Sequence, residues 1–382
     1  MKNSCLLLCL LIIGVGLGLN PAFAEDNLQL LSPEDGPDPR PFSPPRHYVC
    51  LRADNPIAID GLLDEADWHN CLWSEVFTDI RAPYGAAQPS PATKFKMLWD
   101  DEYLYVAVWL SETHIQAKLM KRETLDATDF DLEIYLDANA DSQQYSLIKI
   151  NPYNVPQSVF YNKPPKDGGI GRLWPIQGFQ HAVFAKGTLN DPNDKDQYWQ
   201  IELAIPLAMP AILGGVTPIP SNGETWRVNF ARTERRGKLV LSSDKGSIKP
   251  EQLAATEKLI RCCWTPQGVI NMHRPEAWGY LQFSSLPAGS PADFTPDPTE
   301  WARYTLHRIL YAQKWHALNF GGYANSLDLL GLDSTPPMFA TEPVRITASD
   351  DRFTASVQLR LPEMSIRTLS IDQDAKITLT GK

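Results

Sequence analysis

Residues 129–137, with the sequence DFDLEIYLD, alternate between polar and apolar side chains without interruption. Neighbouring side chains of a β-strand point to opposite faces of its sheet, whereas those of a helix do not. The alternation therefore predicts a strand with one face in the core and a row of acidic side chains directed to solvent. The predicted core face consists of Phe130, Leu132, Ile134 and Leu136.

Other short alternating segments lie between residues 47 and 284, and turns rich in Pro, Gly, Asn and Asp separate them. Many short strands at such spacing are typical of an antiparallel β-sandwich. The sequence thus predicts a mainly β protein with an immunoglobulin-like sandwich architecture over residues 47–284. The clearest further strands are 103–110, 145–151, 198–206 and 225–232.

Two Pro-rich stretches flank this predicted sandwich. Residues 25–46 and 285–298 are poor in the patterns of helix and sheet, and we interpret them as a tether and a linker. Residues 299–319 then have helical spacing, Gly321 ends the helix, and further strands follow. Residues 299–382 are therefore predicted to form a small α+β unit.

The first 24 residues have the pattern of a secretory signal peptide. A lysine precedes an apolar run at 6–19, which is too short to span a bilayer, and Ala22-Phe23-Ala24 is a small-x-small cleavage pattern. Cleavage is expected after Ala24, and no later stretch has the length of a membrane span. We therefore expect an exported protein that resides in the periplasm, at the cell surface or outside the cell.

Four cysteines follow the predicted cleavage site, at positions 50, 71, 262 and 263. Export permits disulfides, so Cys50 and Cys71 are candidates for a bridge between the first strand and the first helix. Buried free thiols are the alternative. No pair of these cysteines has the spacing of zinc ligands.

The acid-rich stretch AIDGLLDEADW, residues 58–68, is interpreted as the beginning of the fold. Asp60 and Gly61 form a turn signal after a predicted strand at 57–59, and Asp64 suits the N-cap of a short helix. Trp68 is placed to plug one end of the sandwich. A glycosidase instead needs two carboxylates about 5 to 9.5 Å apart across the scissile bond, which acids crowded into one turn do not supply.

Seven segments of the chain occur in the order of a known family. They are AIDGLLDEADW, MLWDDEYLYVAVWL, DFDLEIYLD, LIKIN, WQIELAIP, WRVNFAR and CCWTPQGVINMHRPEAWGYLQF. In this order they resemble the family 9 carbohydrate-binding modules, and the likeness spans about residues 48–284. The resemblance implies a β-sandwich that binds sugars without cleaving them, often with structural calcium.

The same resemblance points to a site on the acidic strand. If residues 137–145 form a hairpin turn, Glu133 lies opposite Lys149 and Asp131 opposite Asn151. A carboxylate, an ammonium and an amide on one face suit the hydroxyls of a sugar. In the family, the residues that match Glu133 and Lys149 contact sugar. The alternative is an ordinary solvated face with a cross-strand ion pair.

The chain departs from the family at the two tryptophans that clamp the sugar ring. The matching positions hold Ala127 or Thr128, and Met272 beside His273. Trp264, Trp174 or His273 is a candidate platform for stacking, and core packing is the alternative for each tryptophan. Arg274, together with His273, is a candidate for binding an acidic group on a sugar.

Asp137, Asn139 and Asp141 have the alternate spacing of oxygen ligands in calcium-binding loops. Ile148 stands where an EF-hand needs its last acid, so this is not an EF-hand. Ca²⁺ is therefore a candidate structural cofactor, and the alternative is a polar turn whose side chains bond to their own backbone.

These patterns favour an exported, non-catalytic protein that binds a polysaccharide or oligosaccharide in carbohydrate catabolism. The first alternative is a glycoside hydrolase, or an accessory module of one, and the second is a structural cell-surface protein without sugar binding. A formal net charge of −10 over 382 residues argues against a nucleic-acid partner. The sequence specifies neither the sugar nor a protein partner of the C-terminal unit.

Overall fold

The computed structural model describes residues 42–83, 91–117, 132–191, 193–236 and 258–381. Its helices are α1 (Ala66–Asn70), α2 (Ala208–Gly214) and α3 (Glu300–Phe320), and single 3₁₀ turns occur at Pro165–Asp167, Pro275–Ala277 and Asp328–Leu330. The strands are β1 (His47–Arg52), β2 (Thr78–Asp79), β3 (Thr93–Trp99), β4 (Tyr103–Ser111), β5 (Leu132–Asp137), β6 (Tyr145–Ile150), β7 (Pro156–Tyr161), β8 (Gly171–Leu173), β9 (Gln180–Lys186), β10 (Tyr198–Pro206), β11 (Thr225–Arg236), β12 (Lys258–Cys263), β13 (Gly279–Pro287), β14 (Arg345–Ala348), β15 (Phe353–Arg360), β16 (Ile366–Asp372) and β17 (Ile377–Thr380).

The first thirteen strands form one continuous sheet with the order β8-β7-β6-β5-β11-β13-β1-β3-β4-β10-β9, and β12 extends from β11 to β2. The sheet is antiparallel, as predicted, except at one place. Strand β1 runs parallel to both of its neighbours, β13 and β3, so the sheet is mixed. Strand β1 therefore joins two antiparallel halves of the sheet, one that ends at β13 and one that begins at β3.

The sheet folds over itself into two layers, which confirms the predicted sandwich. The rings of Phe95 in β3 and Phe230 in β11 stack with centroids 4.0 Å apart, although β13 and β1 separate these strands within the sheet. Trp99 and Phe283 meet edge to face at 5.4 Å in the same core. Burial of these large rings between the layers provides the main apolar stabilisation of the fold.

A second layer of side chains covers the opposite face of β5, and here the predicted row of solvent-directed acids is wrong. All six residues of β5 are buried. Ile80, Met272 and Trp278 pack with Tyr135 on that face, and the rings of Trp278 and Tyr135 lie 5.3 Å apart. Alternation assigned the two faces correctly, but it carries no information about long-range segments that cover the polar one.

The stretch 58–68 begins the fold, as predicted, although its details differ. The N-cap of α1 is Glu65 rather than Asp64, and no side chain caps the helix. Residues 57–59 are not a strand. Instead Asp67 accepts hydrogen bonds from the backbone N–H groups of Asp54 and Asn55, and fully buried Trp68 donates to Glu202 at 2.8 Å.

The C-terminal residues form helix α3 packed against a separate four-stranded antiparallel sheet, in the order β14-β15-β16-β17. This matches the predicted helix and strands, and Gly321 at φ +80° caps the helix in the left-handed conformation that favours glycine. The helix also contacts the sandwich, because Arg227 pairs with Glu300 and Arg303 donates to the carbonyl of Ala140.

Cys50, Cys71, Cys262 and Cys263 are free, buried thiols. The candidate bridge between Cys50 and Cys71 is therefore wrong. The thiol of Cys71 instead lies 3.1 Å from the hydroxyl of Tyr48 and 3.5 Å from the carbonyl of Met97, so the core satisfies it without a disulfide.

Candidate functional site

Glu133 and Lys149 lie directly opposite each other on adjacent strands β5 and β6, as the hairpin register predicts. The Nζ atom of Lys149 is 2.8 Å from Oε1 of Glu133. Asp131, the predicted neighbour, lies outside the described residues. Asn151 is buried, and its Oδ1 atom accepts hydrogen bonds from the backbone N–H groups of Tyr153 and Val155. Asn151 therefore shapes its own turn.

Glu133 is only 4% exposed, so its side chain lies beneath the side chains that surround it. Arg261 from β12 pairs with its second oxygen, to which Tyr135 also donates a hydrogen bond at 2.8 Å. Burial by itself raises the pKa of Glu133, but Arg261 and Lys149 outweigh it and lower the pKa to about 2. The carboxylate is ionised at neutral pH and fixes two cations on one face.

Four side chains around Glu133 reach solvent in part. The side chains of Lys149 and Arg261 are 14% and 30% exposed, and Tyr161 and His273 are partly buried. The rings of Tyr161 and His273 lie 4.6 Å apart. We call Glu133, Lys149, Arg261, Tyr161 and His273 the Glu133 cluster. It presents an ammonium, a guanidinium, a phenol and an imidazole on one face.

The imidazole of His273 is held in the cluster by Tyr145, whose hydroxyl lies 2.7 Å from Nδ1. Burial lowers the pKa of His273 to about 4, and the nearby carboxylate of Glu133 only partly opposes this. His273 is therefore neutral at pH 7. A neutral imidazole offers both a donor and an acceptor, which suits recognition of hydroxyl groups.

The structure does not bring the remaining predicted residues into this cluster. Trp264 is fully buried against Phe95, so its ring has no open face for stacking. Trp174 is 46% exposed but packs beside Phe160, whose side chain lies on the opposite face of β7 from Tyr161. No tryptophan of the described residues joins the Glu133 cluster.

Arg274 is buried on the side of the sandwich that faces helix α3. Its Nε donates to Oε1 of Glu276 at 3.1 Å, and its guanidinium lies over the ring of Tyr311, 4.7 Å from the centroid. Arg274 therefore connects the sandwich to helix α3 and is not part of the predicted binding face.

Sequence reasoning missed Arg261, Tyr161 and Tyr135. The one local signal for Arg261 is the alternation within KLIRCC, the sequence of β12. It places Arg261 on the same face of the strand as Cys263, two positions further on. The contact between Arg261 and Glu133 joins residues 128 positions apart, and no local pattern predicts it.

The predicted calcium loop is a turn that bonds to its own backbone. Asp137 is 1% exposed and accepts hydrogen bonds from the N–H groups of Ala140 and Ser142, both at 2.9 Å. Asn139 and Asp141 accept from the N–H groups two residues further on. Burial and the neighbouring Asp141 raise the pKa of Asp137 to about 7. The oxygens thus face the backbone, an arrangement that fits an Asx turn better than a ligand set.

A metal site elsewhere is not indicated in the described part of the chain, where no group of three or more His, Cys, Asp or Glu side chains is arranged to hold an ion. Calcium binding by Asp137, Asn139 and Asp141 stays the alternative to this self-bonded turn, and a thermal melt with EDTA distinguishes the two.

Residues 59–159 match the family model described as carbohydrate family 9 binding domain-like. This region runs from the acid-rich stretch to β7 and includes Glu133 and Lys149. The chain therefore contains a domain similar to the family 9 carbohydrate-binding domains. No curated protein matches the chain.

Two solved structures with similar folds are a family 9 carbohydrate-binding module from Caldicellulosiruptor kristjanssonii in complex with cellotriose and a proposed carbohydrate-binding protein from Bacteroides uniformis. The first is 17% identical, with a TM-score of 0.39, and the match covers 65% of this chain and 100% of that one. The second is 13% identical, with a TM-score of 0.45, and covers 63% and 100%.

Among the described residues, no helix has both the length and the hydrophobicity that crossing a bilayer requires.

Proposed function

We propose that this chain is an exported, non-catalytic carbohydrate-binding protein that binds a polysaccharide or oligosaccharide in carbohydrate catabolism. One observation carries the proposal: buried Glu133 holds Lys149 and Arg261 beside Tyr161 and His273 on one partly exposed face. Sugar hydroxyls are recognised by such convergent donors and acceptors. The family match over residues 59–159, a range that includes Glu133 and Lys149 but not Arg261 or His273, supports carbohydrate binding.

In this proposal Glu133 is a positioning residue. Its two oxygens are occupied by Lys149, Arg261 and Tyr135, so the groups left to meet a ligand are the cations and the rings. Lys149 can donate three hydrogen bonds and Arg261 five, and the side chains of both are partly exposed. The rings of Tyr161 and His273 offer apolar contact to the C–H groups of a sugar.

A hydrolytic role receives less support from this face. A glycosidase needs one carboxyl group with a raised pKa as proton donor and a second carboxylate. The described part of the Glu133 cluster contains one carboxylate, Glu133, and its pKa is lowered to about 2. A carboxylate with so low a pKa does not deliver a proton at neutral pH.

The proposed export depends on the N-terminal sequence. The apolar run at 6–19 and the Ala22-Phe23-Ala24 pattern support cleavage after Ala24, which leaves Glu25 as the first residue. Mass spectrometry of the protein from the producing cell and from its medium tests this. A protein that retains Met1 and is found only in the cytoplasmic fraction would reject export.

A glycan array probed with the chain from Glu25 to Lys382 tests the binding function. We expect retention of one class of glycan, and we expect Lys149→Ala and Arg261→Ala each to weaken it by about tenfold or more, equivalent to about 1.4 kcal/mol. The matched control is Arg52→Ala, which removes a partly exposed arginine whose ion pair with Asp101 lies elsewhere on the sandwich.

Three outcomes would count against the proposal. Retention of glycan by both Lys149→Ala and Arg261→Ala at wild-type affinity would place binding elsewhere. Release of reducing sugar that depends on a single carboxylate would establish the hydrolase. Absence of glycan retention by a folded wild-type protein would favour a structural surface protein.

A further inference from the structure

A cavity of about 360 Å³ lies where helix α3, the 3₁₀ turn at Pro165–Asp167 and the C-terminal sheet meet. The helix contributes Tyr311, Lys314, Trp315 and Leu318, and the other segments contribute Lys166, Asp167, Tyr323 and Gln373. We call this the α3 cavity. It shares no residue with the Glu133 cluster, and its volume falls within the range of small-molecule pockets.

The polar wall of the α3 cavity is built around Asp167, whose side chain is fully buried. Lys166 pairs with its Oδ2 atom at 2.9 Å, and Lys314 pairs with its Oδ1 atom. Burial by itself raises the pKa of Asp167, but the two ammonium groups outweigh it and lower the pKa. Two cations therefore share one carboxylate, which leaves an excess of one positive charge in the lining.

The charged groups next to the cavity do not cancel this excess. Glu276 pairs with Arg274, and Asp374 at the edge pairs with Lys163 at 2.6 Å. Of the two lysines in the lining, Lys314 is the more accessible, with 26% of its side chain exposed against 11% for Lys166. An anionic group that entered the cavity would meet the ammonium of Lys314.

The apolar wall of the α3 cavity is aromatic and open to solvent. Trp315 is 44% exposed and Leu318 is 53% exposed. Tyr323 is partly buried. An exposed indole beside buried polar groups is the arrangement on which the C–H face of a pyranose ring stacks. Gln373 supplies an amide, which can both donate to and accept from sugar hydroxyls.

We propose that the α3 cavity is a second binding site of this protein and that it takes a hexuronic acid residue of an oligosaccharide. The sugar ring stacks on Trp315, its carboxylate pairs with Lys314, and its hydroxyls bond to Gln373. A neutral hexose would leave the excess positive charge without a counter-charge, so the site favours the acidic sugar.

Isothermal titration of the chain from Glu25 to Lys382 with methyl β-D-glucuronoside and methyl β-D-glucoside tests the proposal. We expect the glucuronoside to bind about tenfold more tightly than the glucoside or better, which corresponds to about 1.4 kcal/mol. Trp315→Ala should weaken binding of the glucuronoside by about tenfold or more. Lys314→Gln should bring the two affinities within about threefold, and Lys314→Arg, which keeps the charge, should preserve the preference.

Trp301→Ala is the matched control. Trp301 belongs to the same helix, is 39% exposed and does not line the cavity, because its ring packs on Phe42. This variant should bind the glucuronoside like the wild type. Thermal melting of every variant establishes that each is folded at the temperature of the titration.

The outcomes separate this site from the proposed sugar site on the sandwich. Glucuronoside binding that survives Trp315→Ala but is lost in Lys149→Ala would overturn the α3 cavity and leave the Glu133 cluster intact. Equal affinity for the glucoside, or equal competition by acetate, would overturn the assignment of an acidic sugar. Absence of glucuronoside binding by the folded wild type would overturn the proposal altogether.

Discussion

Two buried glutamates, one in each layer of the sandwich, have opposite electrostatic surroundings. Glu133 lies on the outer face of β5, where Arg261 reaches it from β12 across β11, and Glu202 lies on the outer face of β10 under the stretch 58–68. The partners of Glu133 are the cations Lys149 and Arg261. The partners of Glu202 are the neutral N–H donors of Trp68, Asp60 and Gly61.

The difference in partners appears in the two pKa values. Burial raises the pKa of Glu202 to about 7, and its three N–H donors offset only part of this effect. The cations around Glu133 lower its pKa to about 2. Burial alone therefore does not decide the charge of a carboxyl group. The two glutamates also have different structural roles: Glu133 holds two partly exposed cations, and Glu202 anchors the stretch 58–68 to the sheet.

The largest expected effect comes from neutralising Glu133. Glu133→Gln removes the buried carboxylate that Lys149 and Arg261 share, and we expect the free energy of unfolding to fall by about 3 kcal/mol. Urea denaturation measures this change. Asp101→Asn, which neutralises one partner of the exposed ion pair with Arg52, should cost about 1 kcal/mol or less. If Glu133→Gln proves as stable as Asp101→Asn, the buried ion pairs of Glu133 do not stabilise the fold more than an exposed pair does.

Neutralising Glu202 should cost less. In Glu202→Gln one acceptor oxygen becomes an NH₂ group and faces a buried N–H donor, but no cation loses its partner. We expect a loss of about 1 to 2 kcal/mol in the same urea measurement. A larger loss of unfolding free energy in Glu202→Gln than in Glu133→Gln would contradict this order. It would mean that the hydrogen bonds of Glu202 to the stretch 58–68 stabilise the fold more than the ion pairs of Glu133 do.

The contributions of the two carboxyl groups to the free energy of unfolding should change with pH in opposite directions. The contribution of Glu133 is present above its ordinary pKa of 4.5 and is lost as pH falls towards 2. That of Glu202 is fully present below pH 4.5 and is lost as pH rises through about 7. Each slope is at most about 1.4 kcal/mol per pH unit.

The measurement is the difference in unfolding free energy between wild type and each Gln variant from pH 3 to pH 8. Taking the difference removes other titrating groups such as Asp137, which also has a raised pKa. The wild-type advantage over Glu133→Gln should shrink at the acidic end. The advantage over Glu202→Gln should shrink at the neutral end. Parallel curves would contradict the assigned pKa directions.

The smallest expected effect concerns the loop at Asp137. Because its oxygens already accept backbone N–H groups, we expect EDTA to leave the melting temperature unchanged. Differential scanning calorimetry with added calcium and with EDTA measures this. A lower melting temperature in EDTA would instead establish the calcium site, and Asp137 would then be a carboxylate stabilised by a cation, like Glu133.

Local sequence patterns were sufficient to predict most strands and the pairing of Glu133 with Lys149. Alternation in DFDLEIYLD and a hairpin over 137–145 predicted that Glu133 lies opposite Lys149, and the register confirms this. Helical spacing likewise predicted α3, with its end at Gly321. Each of these inferences depends on neighbours within a few residues or across one turn.

What the sequence did not predict depends on distant segments. Glu133 is paired by Arg261 of β12, which lies on the far side of β11 from β5 and is 128 residues away in the chain. The parallel pairing of β1 with β13 requires the two ends of the sandwich to meet. A one-dimensional pattern records that a side chain is polar, but it does not record which remote segment satisfies it.

The position of β1 has a consequence for biosynthesis. His47 pairs with Tyr280, so the two edges that β1 joins cannot meet until the ribosome has completed more than half of the polypeptide. Contacts of such sequence separation slow folding. If the first 24 residues direct secretion, a nascent chain that stays unfolded for this long remains able to thread through a narrow translocation channel.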